Sequence, residues 1–597
     1  MWDKIKQIYN RNNKIVFLLI SILCTIAINM KFSAIENKIC CDGNNIIWIM
    51  IFTLIYIISI KSYTYKERRL RICSYVLGII LSIFQVLGIM TKDYWIMSEV
   101  IITKKTVLFI LIKFITYSFL FANILKIGFK YIEKIESKSK IQKSDLFKPN
   151  IKSYIVIAIV FFIAWLPYFL NYYPGITSFD TNYQLMQGFG VYEYSNHHPV
   201  LHTIIITIIV KIGYAIAGNY NFGIALCSII QMLLCASTLS FVLYYMSKKN
   251  IHYLVKVITF IFFAICPFIP QFSIAIWKDV PFALCMVLFT ICLIEIMTNE
   301  KEFIEKTRYN LLLSIIATLI MFFRNNGIYI ILGTVPFILI FRKRYWKRLF
   351  VTFLVPITMY FIITGPIYAK LNIAKSSSRE MLSIPIQQMA RIVKYKYDEL
   401  TVEEKEKIAT YIPIEEVGEL YNPTISDPVK NTFSSEEFER NKLDLFKLYA
   451  KLALKFPGET MESLVGNTYG YYYPEVTTYA IATGTYTQVF DNEKFMDIHL
   501  NPIIKIPLID KIINSIYNKK IPMVSLIANI GFAFWVLLAI FTFGIYKKNY
   551  RLAICYIPIV LLYLTCLASP VSGELRYIYS MFLCLPLFIG FSIKNEK

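Results

Sequence analysis

The chain has 597 residues, of which 57% are apolar, 16% aromatic and only 17% charged. A soluble globular protein carries roughly 25% charged residues, so this composition excludes a set of soluble domains and indicates a protein built into a lipid bilayer. The 62 basic residues exceed the 39 acidic ones, giving a formal net charge of +23. In a soluble protein this excess would suggest nucleic-acid binding, whereas in a membrane protein its meaning depends on which side of the membrane the charges lie.

Apolar stretches long enough, or nearly long enough, to cross a hydrocarbon core of about 30 Å recur along the chain. The sequence therefore predicts an all-α polytopic membrane protein. We predict about 14 transmembrane helices, at residues 15–30, 46–60, 72–90, 107–124, 154–170, 222–246, 253–267, 280–297, 309–323, 328–341, 349–367, 524–546, 552–567 and 577–593.

One further apolar stretch, 200–216, is interrupted by His202 and Lys211. If it crossed the membrane, the basic loops 342–348 (RKRYWKR) and 547–551 (KKNYR) would lie outside, against the positive-inside rule. We therefore predict that 200–216 is an interfacial helix on the outer face. Both termini are then cytoplasmic, and the protein is predicted to lie in the bacterial plasma membrane.

The predicted spans divide the chain into four regions. Residues 1–153 form an N-terminal four-span region, and 154–370 form a membrane core with an outer loop at 171–221. Residues 371–520 have ordinary soluble composition and predict a small, mostly helical extracytoplasmic domain, and 521–597 form a three-span C-terminal region. The domain carries 18 basic and 21 acidic residues, so the membrane portion has a net charge of +26. Basic cytoplasmic loops explain this excess without nucleic acid.

The 12 cysteines show no disulfide or metal pattern. Ten lie inside apolar runs, where cysteine behaves as a small buried hydrophobic residue, and only Cys40 and Cys41 lie in a polar loop. No pair of CxxC motifs with zinc-like spacing is present. We therefore predict no structural metal site.

The unusual polar clusters all fall on the predicted outer face. Asp180 follows a Pro-Gly turn at the outer end of a span, where it would either cap a helix or take part in chemistry. His197 and His198 follow closely and precede His202, so three of the five histidines fall within six residues. Histidines beside a carboxylate suit phosphate recognition or metal ligation. We favour phosphate recognition, because the spacing resembles no standard zinc site.

Four more charged residues lie at predicted outer span ends. Lys278 and Asp279 precede a helix, where Asp followed by proline is a helix-start pattern, but a lysine there adds to the positive helix terminus and favours an anion. Arg324 and Arg576 occupy similar positions, and snorkelling would explain each one singly. Together, these cations and an early carboxylate on one face indicate a site for an anionic lipid headgroup.

Four tyrosines, Tyr469, Tyr471, Tyr472 and Tyr473, cluster near the end of the predicted domain. Tyrosines are common in the aromatic belt of membrane interfaces, and this is the reading we favour. A platform that stacks on sugar rings is the alternative.

The order of these motifs resembles the GT-C superfamily of integral-membrane glycosyltransferases over roughly the last three quarters of the chain. The matching elements are FD at Asp180, HHPVLH at His197 to His202, IWKDVPF around Lys278 and Asp279, FRNNG at Arg324, the late outer domain, and RY at Arg576 and Tyr577.

The resemblance implies transfer of a sugar from a polyprenyl phosphate to a cell-envelope acceptor (a glycan, lipid or protein) with inversion. By similarity, Asp180 would be the general base. Lys278, Arg324, Arg576 and one of His197 or His198 would stabilise the leaving phosphate, with Asp279 in the same binding site. Cations alone can stabilise a monophosphate, so we expect no obligatory metal or other cofactor besides the lipid-linked donor substrate.

The sequence is also compatible with two other classes of membrane protein. A transporter or lipid flippase would place ionisable groups near the membrane midplane, where only Lys113 and Lys211 are found. A polysaccharide polymerase or ligase would share the large outer loop and would prefer a polyprenyl diphosphate donor. In each case the partners are membrane lipids and an envelope substrate.

Overall fold

The computed structural model describes residues 2–33, 38–41, 43, 45–95, 103–137, 145–476, 498–521 and 523–594. Within these ranges almost every element is a helix, and the only sheet is one antiparallel pair of strands. The N-terminal elements are α1 (Trp2–Asn29), β1 (Met30–Ser33), β2 (Lys38–Cys41), α2 (Asn45–Tyr63), α3 (Arg68–Met90) and α4 (Lys104–Ser137).

Twelve helices form the central part of the chain, and side chains cap several of their N-termini. The Asn150 side chain accepts a bond from the backbone N–H of Ser153, and Asn219 does the same for Phe222, which satisfies helix-end donors. The helices are α5 (Ile151–Asn171), α6 (Phe179–Gly188), α7 (Val200–Ala217), α8 (Tyr220–Lys248), α9 (Tyr253–Ile265), α10 (Phe268–Ser273), α11 (Asp279–Thr298), α12 (Glu300–Ile304), α13 (Thr307–Phe323), α14 (Gly327–Phe341), α15 (Trp346–Ile362) and α16 (Tyr368–Lys370).

The remaining helices form the domain after residue 382 and the C-terminal part of the bundle. The domain contains α17 (Ser383–Lys396), α18 (Val402–Tyr411), α19 (Ile414–Leu420), α20 (Asp427–Lys430), α21 (Ser435–Arg440), α22 (Lys442–Lys455) and α23 (Pro457–Thr468). The C-terminal helices are α24 (Pro507–Tyr517), α25 (Ile530–Tyr546), α26 (Ala553–Leu567) and α27 (Tyr579–Ile593).

In the described part of the chain, ten helices are long and apolar enough to cross a membrane, and five shorter apolar helices accompany them. The protein is therefore an all-α polytopic membrane protein. Each of the fourteen predicted spans overlaps one of these helices, and the remaining helix is α7. The outward faces of many of them are apolar, as a lipid environment requires.

Contacts between helix ends fix their directions. Near the ends of α8 and α27, Tyr245 stacks on Phe591, so these helices run in the same direction. Arg342, just after α14, donates to the carbonyls of Ile296 and Met297 at the end of α11, so α11 and α14 are also parallel. We call the side of the bundle where α8, α11, α14 and α27 begin the domain side, because the α17–α23 domain lies there.

Helix α7 does not add a crossing of the bundle. It packs antiparallel to α8, since the Cys227 thiol lies 3.7 Å from the carbonyl of Ile206 and a Cβ on Gly213 would lie 2.4 Å from Gly223 Cα. Because α5 ends and α8 begins on the domain side, the chain leaves and returns on that side. Helix α7 is nevertheless one of the ten helices that are long and apolar enough to cross a membrane, so its placement at the outer interface stays a prediction.

The α17–α23 domain has its own hydrophobic core, which extends from Leu382 to Phe456. This mostly helical unit is shorter than the predicted domain at 371–520. The difference is α24, whose Ile509, Ile513 and Tyr517 lie in the core of the helical bundle. Helix α24 has apolar residues on one face, and the bundle buries that face.

The predicted tyrosine belt is buried instead. Tyr471 and Tyr473 have relative exposures of 0% and 1%, and the Tyr471 hydroxyl contacts Ser569 Oγ and the Val571 carbonyl. This position rules out both an interfacial belt and a sugar platform for these side chains. The tyrosines join the domain to the loop before α27.

The same junction contains a close backbone approach. A Cβ on Gly470 would lie 2.8 Å from Gly573 Cα, and Gly573 has φ +75°. The backbone N–H of Gly470 also donates to Ser572 Oγ. Only glycine fits both positions without displacing the loop.

Gly470→Ala is therefore expected to destabilise the protein by roughly 1–3 kcal/mol, because the added methyl group overpacks this contact. The measurement is the apparent melting temperature of purified protein in detergent. Gly458→Ala is the matched control, since nothing lies within 4 Å of a Cβ there. Equal melting temperatures for the two variants would contradict the assignment of a tight junction.

Candidate functional site

A short backbone pairing brings two distant loops together at the domain side. The Ile176 N–H donates to the Ile274 carbonyl at 3.0 Å, and the Ile276 N–H donates to the Ile176 carbonyl at 2.9 Å. Gly175 precedes this pairing with φ +137°, and a Cβ there would lie 1.9 Å from Ser228 Oγ. The pairing aligns the start of α6 with the start of α11.

Side chains strengthen that alignment. The Trp277 indole N–H donates to Ser178 Oγ at 2.7 Å, and the Thr181 hydroxyl donates to the Ile276 carbonyl at 2.6 Å. Ser178 and Thr181 also form the capping box that starts α6. Asp180 lies between these two residues, so its backbone is held on both sides.

The Asp180 carboxylate receives two cations on one oxygen. Lys278 Nζ lies 2.7 Å and an Arg576 guanidinium nitrogen 3.0 Å from Asp180 Oδ2. Among the described residues, the other oxygen, Oδ1, has no hydrogen-bond partner. Side-chain exposures are 22% for Asp180, 15% for Lys278 and 18% for Arg576, so the cluster is shielded and still reachable.

His198 extends the cluster on the lysine side. Its Nδ1 lies 2.9 Å from Lys278 Nζ, and an ammonium group can only donate, so Nδ1 accepts and the ring proton is on Nε2. Burial and the charge of Lys278 lower the pKa of His198 to about 2. His198 is therefore a neutral hydrogen-bond donor through Nε2 rather than the cation that the sequence suggested.

Charge determines the ionisation of Asp180. Burial alone would raise its pKa, but the charges of Arg576 and Lys278 outweigh burial and hold the pKa of Asp180 well below its ordinary value. The carboxylate is thus ionised at neutral pH, and withdrawing either cation would raise its pKa.

Asp279 and Arg324 form a second, deeper pair. Asp279 is 2% exposed, and its Oδ1 lies 3.5 Å from Arg324. Neither carboxylate oxygen has a hydrogen-bond partner in the described ranges. Arg324 also donates to the Tyr577 carbonyl at 2.8 Å. Arg324 therefore holds the chain beside Arg576 and makes no contact with the Asp180 carboxylate.

Glu574 is a site residue to which the sequence assigned no role. Its Oε1 lies 3.6 Å from Arg576 Nε, and its side chain is 15% exposed. Burial raises the pKa of Glu574 from 4.5 to about 7, against the opposing charge of Arg576. No sequence motif marks this glutamate, because its burial and its raised pKa depend on how its loop folds against the domain.

The remaining predicted histidine lies at the surface of the cluster. His197 is exposed, and its ring packs 4.5 Å from the ring of His198, centroid to centroid. The structure thus brings Asp180, His198, Lys278 and Arg576 into one cluster, with His197 at its edge.

No group of three or more His, Cys, Asp and Glu side chains that could hold a metal ion occurs among the described residues. The expectation of metal-free chemistry stays a prediction. The groups available for chemistry in this cluster are a carboxylate, two cations and a neutral imidazole.

Comparison with known proteins identifies a family. The model described as Family of unknown function (DUF6020) matches residues 191–597, about two thirds of the chain, so the chain belongs to that family. The matched region contains every predicted site residue except Asp180, which lies upstream of it. No curated protein and no solved structure matches the chain at a significant level.

Glu574 predicts a specific pH dependence. Its pKa is higher in the folded chain, so between pH 4.5 and about 7 the folded state binds more protons than the unfolded state, and stability falls as pH rises through this window. Glu574→Gln is expected to remove this contribution, worth roughly 3 kcal/mol. The measurement is thermal unfolding in detergent from about pH 5 to about pH 8. Exposed Glu419→Gln is the control, and an unchanged slope in Glu574→Gln would contradict the assignment.

Proposed function

We propose that this member of the DUF6020 family is an integral-membrane glycosyltransferase. It transfers a sugar from a polyprenyl phosphate to a cell-envelope acceptor, with inversion at the anomeric carbon. The observation that carries the proposal is the Asp180 carboxylate, bound through one oxygen to Lys278 and Arg576 at the domain-side ends of apolar helices. A potential base and two phosphate-binding cations then lie within one shielded cluster.

The distribution of charge supports an extracytoplasmic site. Fourteen of the apolar helices would cross the plasma membrane, with α7 at the outer interface. Basic loops then lie in the cytoplasm, on the side away from the domain, as the positive-inside rule requires. These loops are at 61–71, 126–134, 248–249, 301–308, 342–348 and 547–551.

In the proposed reaction, the acceptor oxygen attacks the anomeric carbon and gives its proton to Asp180. The bond between that carbon and the phosphate oxygen breaks, and the phosphate leaves with the electron pair. Lys278 and Arg576 stabilise its developing charge, and His198 can donate from Nε2.

The same two cations couple donor binding to base strength. Phosphate oxygens compete with Asp180 Oδ2 for Lys278 and Arg576, and the pKa of Asp180 rises as those charges are drawn away. The carboxylate is therefore a weak base in the free protein and a stronger one once the donor is bound. Arg324 and Asp279 act beneath this cluster by holding Tyr577 in place.

Transport is less well supported. The Lys113 ammonium donates to the Ile28 carbonyl between α1 and α4, and exposed Lys211 donates to the Gly188 carbonyl. Each lysine therefore has a local backbone partner. A diphosphate-dependent polymerase or ligase would use the same face, and the donor assay below separates it from the proposed enzyme.

Asp180→Asn is expected to lower sugar transfer by about 10²–10⁴-fold, because the amide cannot accept the proton. The assay uses purified protein with polyprenyl-phosphate and polyprenyl-diphosphate sugars, and chelator is expected to leave the activity unchanged. Exposed Asp398→Asn in the domain is the matched control. Full activity of Asp180→Asn would remove the proposed base, and transfer from the diphosphate alone would favour the polymerase or ligase.

The topology predicts which natural cysteines are accessible from outside. Cys40 and Cys41 are exposed on β2, and the other ten cysteines are buried. Near this hairpin, Phe32 of β1 packs against Met90 and Phe109 on the domain side. A membrane-impermeant maleimide should therefore label intact cells at these two cysteines.

In a Cys40→Ser, Cys41→Ser background, Glu193→Cys should restore labelling of intact cells. Lys301→Cys, on the opposite side, should react only after permeabilisation. The reverse pattern would invert the topology and contradict an extracytoplasmic site.

A further inference from the structure

Exposed aromatic rings lie beside the charged cluster. Phe179 is 72% exposed, Tyr192 47% and Tyr183 38%, and His197 is exposed next to them. We infer that these four side chains, the aromatic platform, bind the flat face of a pyranose ring. This inference rests on the proposed function, because it assigns a sugar-binding position within that site.

A chain of ring contacts connects the platform to the charges. The rings of Tyr183 and Tyr192 lie 5.3 Å apart, and the Tyr183 ring lies 5.6 Å from that of His198. His198 contacts Lys278, which contacts Asp180. Along these contacts, one side chain, His198, separates the platform from Lys278, and two separate it from the Asp180 carboxylate.

Packing does not explain why these rings are exposed. The buried face of α6 is already filled by Thr181, Gln184 and Leu185, among others. Phe179 and Tyr183 are four residues apart and so lie on one face of the helix, and that face is turned away from the buried one. Exposed rings of this kind next to polar groups are typical of binding sites.

The chemistry suits a sugar better than a purely apolar ligand. Ring faces contact the C–H groups of a pyranose, while phenol hydroxyls and the His197 imidazole can bond its hydroxyls. Lys278, which contacts His198 beside the rings, offers a donor for a further hydroxyl. The buried tyrosines at 469–473 cannot supply such a surface.

The ring could come from the donor's sugar or from a sugar of the acceptor, and both present the same chemistry. Kinetics distinguish them. Tyr192→Ala raises the KM for the polyprenyl-phosphate sugar if the platform holds the donor sugar, and raises the KM for the acceptor if it holds the acceptor.

Binding itself is tested without turnover, by saturation-transfer NMR of methyl glucoside, methyl mannoside and methyl galactoside with protein in lipid nanodiscs. We expect Tyr192→Ala to weaken binding roughly three- to tenfold, the range of one aromatic contact. Tyr192→Phe should retain most of the binding, because it keeps the ring. Tyr214→Ala is the matched control, since Tyr214 is 43% exposed and stacks on Tyr220 away from the cluster.

The inference is overturned if none of the three glycosides binds, or if Tyr192→Ala and Tyr214→Ala weaken binding equally. Asp180→Asn separates this outcome from the proposed function, because it should lower transfer by about 10²–10⁴-fold and keep glycoside binding. A wild-type protein that binds glycosides but transfers no sugar would contradict the proposed function alone. Transfer with both KM values unchanged in Tyr192→Ala would contradict the platform alone.

Discussion

Asp180 lies between two largely buried cations, and three distant parts of the chain must meet for that arrangement to exist. Arg576 is 396 positions from Asp180 and Lys278 is 98 positions away. Removing these charges from water carries a large desolvation penalty, and breaking a buried pair by deleting one partner typically costs about 3–5 kcal/mol. The start of α6, the start of α11 and the loop before α27 are therefore tied to one another energetically. These three segments meet at the domain side of the bundle through this contact.

Burying Asp180 with Lys278 and Arg576 lowers the stability of the folded state relative to an apolar cluster of the same size. Apolar residues at these positions would avoid the desolvation penalty, but they could bind neither an anion nor a proton. The cluster is held rigid by hydrogen bonds that do not involve the charges themselves, such as those from Trp277 and Thr181. Rigid placement means that little reorganisation is needed when a ligand replaces one of the internal partners. In the proposed reaction, the two cations would exchange Asp180 for the donor phosphate in this way.

Much of the fold could be predicted from the sequence, because lipid leaves few choices for apolar segments. For residues 200–216, composition alone predicts another span, whereas the basic loops predict an interfacial helix. Helix α24 was assigned to the domain and Tyr471 to a membrane interface, and both are buried against the helical bundle instead. A half-apolar helix and a tyrosine-rich loop do not show in the sequence which surface covers them. In the site, the charges of Asp180 and Lys278 at the ends of apolar segments could be recognised from the sequence. The separation of Arg324 from Asp180 could not, because partner choice depends on tertiary contacts that one sequence does not encode locally.

The domain holds the loop at 569–573 from several directions. Ser426 donates its N–H to the Pro570 carbonyl, the Ser572 N–H donates to the Thr424 carbonyl, and Asn467 donates to the Ser569 carbonyl. Arg576 follows this loop directly, so its position is set from outside the bundle. The smallest unit able to assemble the charged cluster therefore includes the domain. An exchange of domains between members of the family would have to carry this loop as part of the exchanged piece.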